Sequence, residues 1–340
     1  MVAVIAGVIV FGLLIFIHEF GHYLVARLVG IGVHEFSLGF GPRVWGAVRG
    51  KTEYNLRAFP LGGFVRLVGM DPKDEERDRP YSFARQPVIH RLAVILAGPL
   101  MNFALAVVAL AILIFFQAVP PPATTRVGEA LPGYPAATAG IREGDRIVAI
   151  DGRRVTDWRE VLHHIRSRPE EKKQITLERN GRRFTITVMP RKDEDGQARI
   201  GLRPEKVGPF QSLKGGARYT YEITKLIILF IGKMFVREAP ADVGGPVRIA
   251  VEIGRAAEFG LFPLIHLTAF LSINLGLFNL FPIPALDGGR IGFLLWEGVT
   301  RRPVDPEKEN LVHFIGFAVL IFLVLVITYH DIIRLAFGTE

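Results

Sequence analysis

From Leu92 to Val119 the chain carries no charged residue and then meets Pro120, Pro121 and Pro122. A bilayer core ~30 Å thick needs about 20 residues of apolar helix, and a proline cluster cannot continue one. The run therefore reads as a transmembrane helix with a marked end. Three more stretches meet the same length test, at roughly 2–26, 262–286 and 311–329. Half of the residues are hydrophobic, with 25 Phe, and the mean hydropathy is +0.32. The expected fold class is an α-helical polytopic membrane protein with about four transmembrane helices. Residues 219–236 are a fifth apolar stretch, but Lys225 and Lys233 leave little between them, which favours an interfacial amphipathic helix.

The formal net charge of +8 would suit nucleic acid or acidic lipid. Its placement decides: the basic residues border apolar segments, so the bilayer is the expected partner and nucleic acid is not. Arg and Lys crowd the connection from Arg27 to Arg91, and Arg290, Arg301, Arg302 and Lys308 follow the third span. The first 17 residues contain neither type, and Arg334 stands alone after Tyr329. Short basic loops stay in the cytoplasm, which places both termini and the long segment between spans two and three outside. The N-terminal run lacks a basic start and a small-residue cleavage site, and reads as a retained span rather than a signal peptide. Absence of Cys removes disulfides, thiolate metal sites and a cysteine nucleophile.

The long extracytoplasmic segment reads as a separate α/β domain over roughly 122–206. In "QITLERNGRRFTITV", apolar residues alternate on both sides of Asn180-Gly181, a dipeptide suited to a type I′ hairpin. Asp157 and Glu160 form a capping-box pattern, and Trp158, Val161, Leu162 and Ile165 share one helical face. "YPAATAGIREGDRIVAIDG" resembles the hallmark stretch of bacterial PDZ domains. The expected division is 1–121 and 262–340 for the two halves of the membrane core, 122–206 for the PDZ-like domain, and 207–261 for an amphipathic linker.

The first span holds "LLIFIHEFGHYLVAR", residues 13–27, with three ionisable groups inside an apolar helix. Such groups are expensive in hydrocarbon and mark function. His18 and His22, four apart, share a helix face and can present nitrogens to one metal ion, while Glu19 is offset to reach a water. This is the HExxH pattern of zinc-binding histidines with a glutamate general base. Catalytic zinc keeps three protein ligands. The third candidate is Asp287, at the end of the third apolar run, where Pro282, Pro284, Gly288 and Gly289 break the helix. The competing reading gives Asp287 a helix-terminus or loop role. Glu297, Asp305 and Asp331 lack this placement. His266 and His313, and Asn102 and Asn274, read as structural.

Together, "HEFGH", "GFG" at Gly39–Gly41, "AGPLMN" at Ala97–Asn102 and "NLFPIPALDGG" from Asn279 resemble the site-2 protease family of intramembrane zinc metalloproteases, in its bacterial PDZ-containing, regulator-of-sigma-E type. The resemblance implies one catalytic Zn²⁺ on His18, His22 and Asp287, Glu19 activating water, and Asn279 holding the substrate backbone or an oxyanion. An interhelical hydrogen bond is the alternative for Asn279. It further implies a bacterial inner-membrane enzyme that cuts single-span proteins, such as anti-sigma factors or remnant signal peptides, with its active site toward the cytoplasm. The best-known members carry two tandem PDZ domains, and this chain has room for one.

Residues 43–68 suit a β-hairpin against the membrane, and the family implies a re-entrant β-loop there; an exposed strand edge in it is suited to capture an unwound substrate by strand addition. A basic loop on anionic headgroups is the alternative. The PDZ-like domain either recruits substrates or excludes bulky ones. The rival functions are a metal or proton transporter, for which no internal repeat is found, and a PDZ scaffold without catalysis.

Overall fold

The computed structural model describes residues 2–117, 119–121, 124–167, 171–192, 196–236, 238 and 244–337. In chain order, helix α1 (Val2–Leu28) leads into two long strands, β1 (Val33–Arg49) and β2 (Thr52–Leu67), and then α2 (Val88–Phe115). Strand β3 (Val127–Ala130), the short α3 (Pro135–Thr138), β4 (Arg146–Ile150), β5 (Arg153–Arg154) and α4 (Trp158–Arg166) follow. Next come β6 (Lys173–Arg179), β7 (Arg182–Val188), β8 (Arg191–Lys192), β9 (Ala198–Arg199) and β10 (Leu202–Pro204). The chain closes with α5 (Pro209–Phe235), α6 (Pro246–Glu258), α7 (Leu261–Leu280), α8 (Asp287–Thr300) and α9 (Pro306–Phe337).

Two compact units result: residues 1–109 with 220–340, and residues 110–219. Among the described residues, α1, α2, α7 and α9 are long and apolar enough to cross a membrane. Much of their apolar surface is exposed, including Ile9, Leu100, Phe270 and Phe322, as a helix facing lipid rather than water would have it.

The second unit has its own core. Trp158, Val161 and Ile165 of α4 are buried against Ile147 and Ile150 of β4 and Ile175 and Leu177 of β6. The sheet order is β5-β4-β6-β7, and β3 pairs with β10. Arg179 pairs with Arg182 across a two-residue loop, and Asn180 and Gly181 take φ of 50° and 77°, as a type I′ turn demands. Asp157 caps α4 as expected, accepting from the Arg159 N–H. Glu160 departs from the reciprocal pattern: its Oε2 accepts from the Thr156 N–H, one residue before the cap. Asp145, in the Gly-Asp step of the hallmark stretch, is 1% exposed. Burial acts to raise its pKa, but hydrogen bonds from Arg179 and the Arg142 N–H, with the Arg179 charge, hold it below the usual carboxylate value.

In the first unit, Ile253 of α6 packs beside Ala6, Val10 and Leu14 of α1. Asp331 of α9 is buried and accepts from the Gly245 and Arg248 N–H groups, capping α6. Pairing of β1 with β2 begins at Val33↔Leu67, so the strand region is longer than the 43–68 expected from sequence. Both strands bend, and Glu35–Leu38 has neighbours on two sides: Gly63–Arg66 and Glu53–Leu56. Glu35 ties these together, accepting from Ser37, Asn55 and Arg57 at 2.5, 2.7 and 2.5 Å. Burial raises its pKa, yet those bonds and the Arg57 charge bring it down to about 2.

The other differences lie at helix ends. The third span ends at Leu280 rather than 286, because Pro282 and Pro284 stop the ladder. Asp287 therefore opens a new helix, α8, instead of closing an old one. The stretch read as 219–236 is part of one longer helix, α5, starting at Pro209.

Candidate metal centre

His18 and His22 lie one above the other on the buried face of α1. Their Nε2 atoms stand 3.3 Å apart, and Asp287 Oδ2 lies 3.1 and 3.4 Å from them. Tetrahedral zinc, with bonds of about 2.0–2.1 Å, separates its ligands by about 3.3 Å. Asp287 Oδ2 is buried and makes no well-directed hydrogen bond. Two nitrogen lone pairs and a carboxylate oxygen thus converge at the spacing that a divalent cation would satisfy, and these residues fit zinc. Among the described residues this is the only group of three or more His or acidic residues with such convergent atoms.

Each of these side chains is held by a different device. His22 Nδ1 is 2.8 Å from the carbonyl oxygen of Val94 in α2; a carbonyl only accepts, so Nδ1 carries the proton and Nε2 is left bare. α1 and α2 can approach this closely because Gly21 faces Ala97, where a Cβ would come within 2.4 Å of the Ala97 oxygen. Asp287 is fixed from two sides. The partly buried pair from Arg91 to Glu297, at 3.0 and 2.5 Å, ties α8 to the start of α2. His313 of α9 accepts from the Ala285 N–H at 2.9 Å, steadying a turn in which Ala285 sits at φ 79°.

Glu19 is offset from the triad, as expected. Its side chain meets the β2 strand, where a Cβ at Gly63 would lie 3.1 Å from its Cγ. Asn279 occupies the last turn of α7, half-buried. Among the described residues its side chain makes no hydrogen bond, and the structure does not join it to the triad. Asn274 bonds within its own helix to the Phe270 oxygen, and Glu297, Asp305 and Asp331 stay outside the triad, as read from sequence. Asn102, read as structural, instead sits 3.0 Å from His18 Nδ1. The signal for it was the "AGPLMN" stretch, which carried the resemblance without a mechanical reason.

Gly98 supplies a direct test of this packing. A Cβ there would fall 2.3 Å from His22 Nε2, so one atom must displace the imidazole. Gly98→Ala is expected to weaken zinc binding by at least tenfold, on the order of a lost supporting contact or more. Competition with a chelator measures it; wild-type affinity would mean that His22 does not need its present position.

A polytopic chain that brings two histidines i,i+4, a neighbouring glutamate and an aspartate from another helix to one buried point, among membrane-type helices, is built as an intramembrane metalloprotease. The chain belongs to peptidase family M50, whose pattern it matches over residues 6–323. It is 36% identical to the zinc metalloprotease RasP of Geobacillus kaustophilus, covering 97% of each chain. It is 33% identical to the regulator of sigma-W protease RasP of Bacillus subtilis, covering 98% of each. The protein is accordingly a zinc-dependent membrane endopeptidase of the site-2 type.

Proposed function

We propose that this enzyme hydrolyses a peptide bond in or near the transmembrane segment of single-span proteins, as a step of regulated intramembrane proteolysis. The observation that carries the reading is the convergence of His18, His22 and Asp287 inside apolar helices. One zinc ion is held by these three residues. When bound, zinc supplies a Lewis acid that acidifies water and polarises a carbonyl. Glu19 takes a proton from the attacking water and passes it to the leaving amine nitrogen. Asn279 donates its amide to the developing oxyanion or the substrate backbone, adding no further charge to the site.

A helical peptide bond is shielded by its own hydrogen bonds, so the substrate must be unwound first. The segment 63–67 pairs with β1 along one side and lies against the Glu19 side chain at Gly63, which supports capture of an unwound segment by strand addition. The active site lies toward the cytoplasmic side of the bacterial inner membrane. The termini and the PDZ-like domain, residues 122–206, are extracytoplasmic, between the membrane-core halves 1–121 and 262–340, with 207–261 as an amphipathic linker. Regulation of sigma-W by the Bacillus subtilis relative supports anti-sigma factors as the substrate class.

Metal removal tests the reading. The purified full chain in lipid is expected to cut a single-span substrate, lose that activity on treatment with a chelator, and regain it with one equivalent of Zn²⁺. Cleavage that survives complete zinc removal would overturn the assignment, and transport assays would follow.

A further inference from the structure

A metal-binding histidine needs its second nitrogen tied down, and the two histidines here are tied down in different ways. His22 uses a main-chain carbonyl, Val94 O, which no substitution can remove. His18 meets a side chain: the Asn102 amide of α2, fully buried and 3.0 Å from Nδ1. The main chain of Asn102 is itself fastened, because Ser272 Oγ of α7 donates to the Asn102 carbonyl at 2.8 Å. Three helices therefore set where this amide points.

We propose that Asn102 is a positioning residue for zinc, whose Oδ1 accepts the Nδ1–H of His18 and so holds the His18 Nε2 lone pair toward the metal. Once Nε2 is a ligand, the neutral ring carries its proton on Nδ1, and the partner there must accept it. The structure has Nδ2 nearest His18, while Oδ1 is buried without a donor. A half-turn of the amide, whose two ends are nearly the same size, brings the acceptor to the ring. With Nδ2 toward the ring, the same amide serves the opposite tautomer, in which Nε2–H faces Asp287.

Charge explains why the acceptor is an amide. A metal dication is already matched by the Asp287 and Glu19 carboxylates, and a third carboxylate on α2 would leave a net negative charge buried among apolar helices. Asn accepts the same proton without that penalty. The "AGPLMN" stretch thereby acquires a common purpose: Gly98 makes room for His22, and Asn102 orients His18.

The test measures zinc affinity of the full chain in micelles by competition with a chromogenic chelator, for wild type, Asn102→Leu and Asn102→Asp. Leu keeps the volume and loses the acceptor; Asp keeps the acceptor. Asn102→Leu is expected to weaken zinc binding about 10–100-fold, the usual effect of losing such a partner, and to change the visible absorption of the Co²⁺-loaded protein. Asn102→Asp, which keeps the acceptor but adds a buried charge, is expected to weaken binding by less than Asn102→Leu, under about tenfold. Equal weakening in both variants, or none in Asn102→Leu, would overturn the proposal. Should Asn102→Leu fail to accumulate folded, Asn102→Thr carries the same comparison, because its hydroxyl turns back to its own helix. The inference rests on His18 being a ligand, so His18→Ala is measured beside them: wild-type affinity there would fault the ligand assignment instead.

Discussion

Glu19→Gln should lower cleavage of a single-span substrate by at least about 10²–10⁴-fold, the range typical for loss of a general acid–base group, while zinc content stays at the wild-type level. The substitution keeps the shape of the side chain and removes only its capacity to take a proton. Glu19 stands outside the His18–His22–Asp287 triad, so the metal site has no reason to respond. Parallel measurements of product formation and bound zinc decide the matter. Full activity in the variant would assign the base elsewhere; joint loss of zinc and activity would make Glu19 part of the metal site.

Val65→Pro should also lower cleavage. Val65 belongs to the 63–67 segment, which is paired with residues 33–38 on one side and places Gly63 against the Glu19 side chain. Proline at this position removes one main-chain N–H donor from that edge segment. An unwound substrate adding as a strand would lose a main-chain hydrogen bond two residues from Gly63, which lies against Glu19. Cleavage is expected to fall at least about tenfold, the equivalent of ~1.4 kcal/mol and of one such bond, with zinc content unchanged. Undiminished cleavage of the same substrate would exclude this edge as the capture site.

How the site is held also bears on what a relative must keep. The two histidines need only one helix, but their orientation depends on α2, and Asp287 depends on α8 being tied to α2 through Arg91 and Glu297 and on His313 gripping the turn before it. Polar groups this deep in apolar helices have little water to fall back on, so each must find a protein partner.

Much of this protein was legible in one dimension. Hydrocarbon thickness converts directly into a run length, so the four apolar helices follow from composition along the chain. Helical periodicity puts His18 and His22 on one face, and proline chemistry marks the break before Asp287. The hairpin around Asn180-Gly181 and the Asp157 cap are equally local, because turn and cap preferences act over a few residues. The structure alone decided what depends on distant segments meeting. Asp287 begins α8 rather than ending α7, β1 starts at Val33 because Leu67 is there to pair with it, and Glu160 answers Thr156 instead of Asp157. Above all, sequence spacing says nothing about a neighbour 84 positions away. An asparagine that looks like any other helix-packing residue becomes a partner of His18 only when the Gly21–Ala97 crossing brings α1 and α2 close enough for its amide to reach an imidazole.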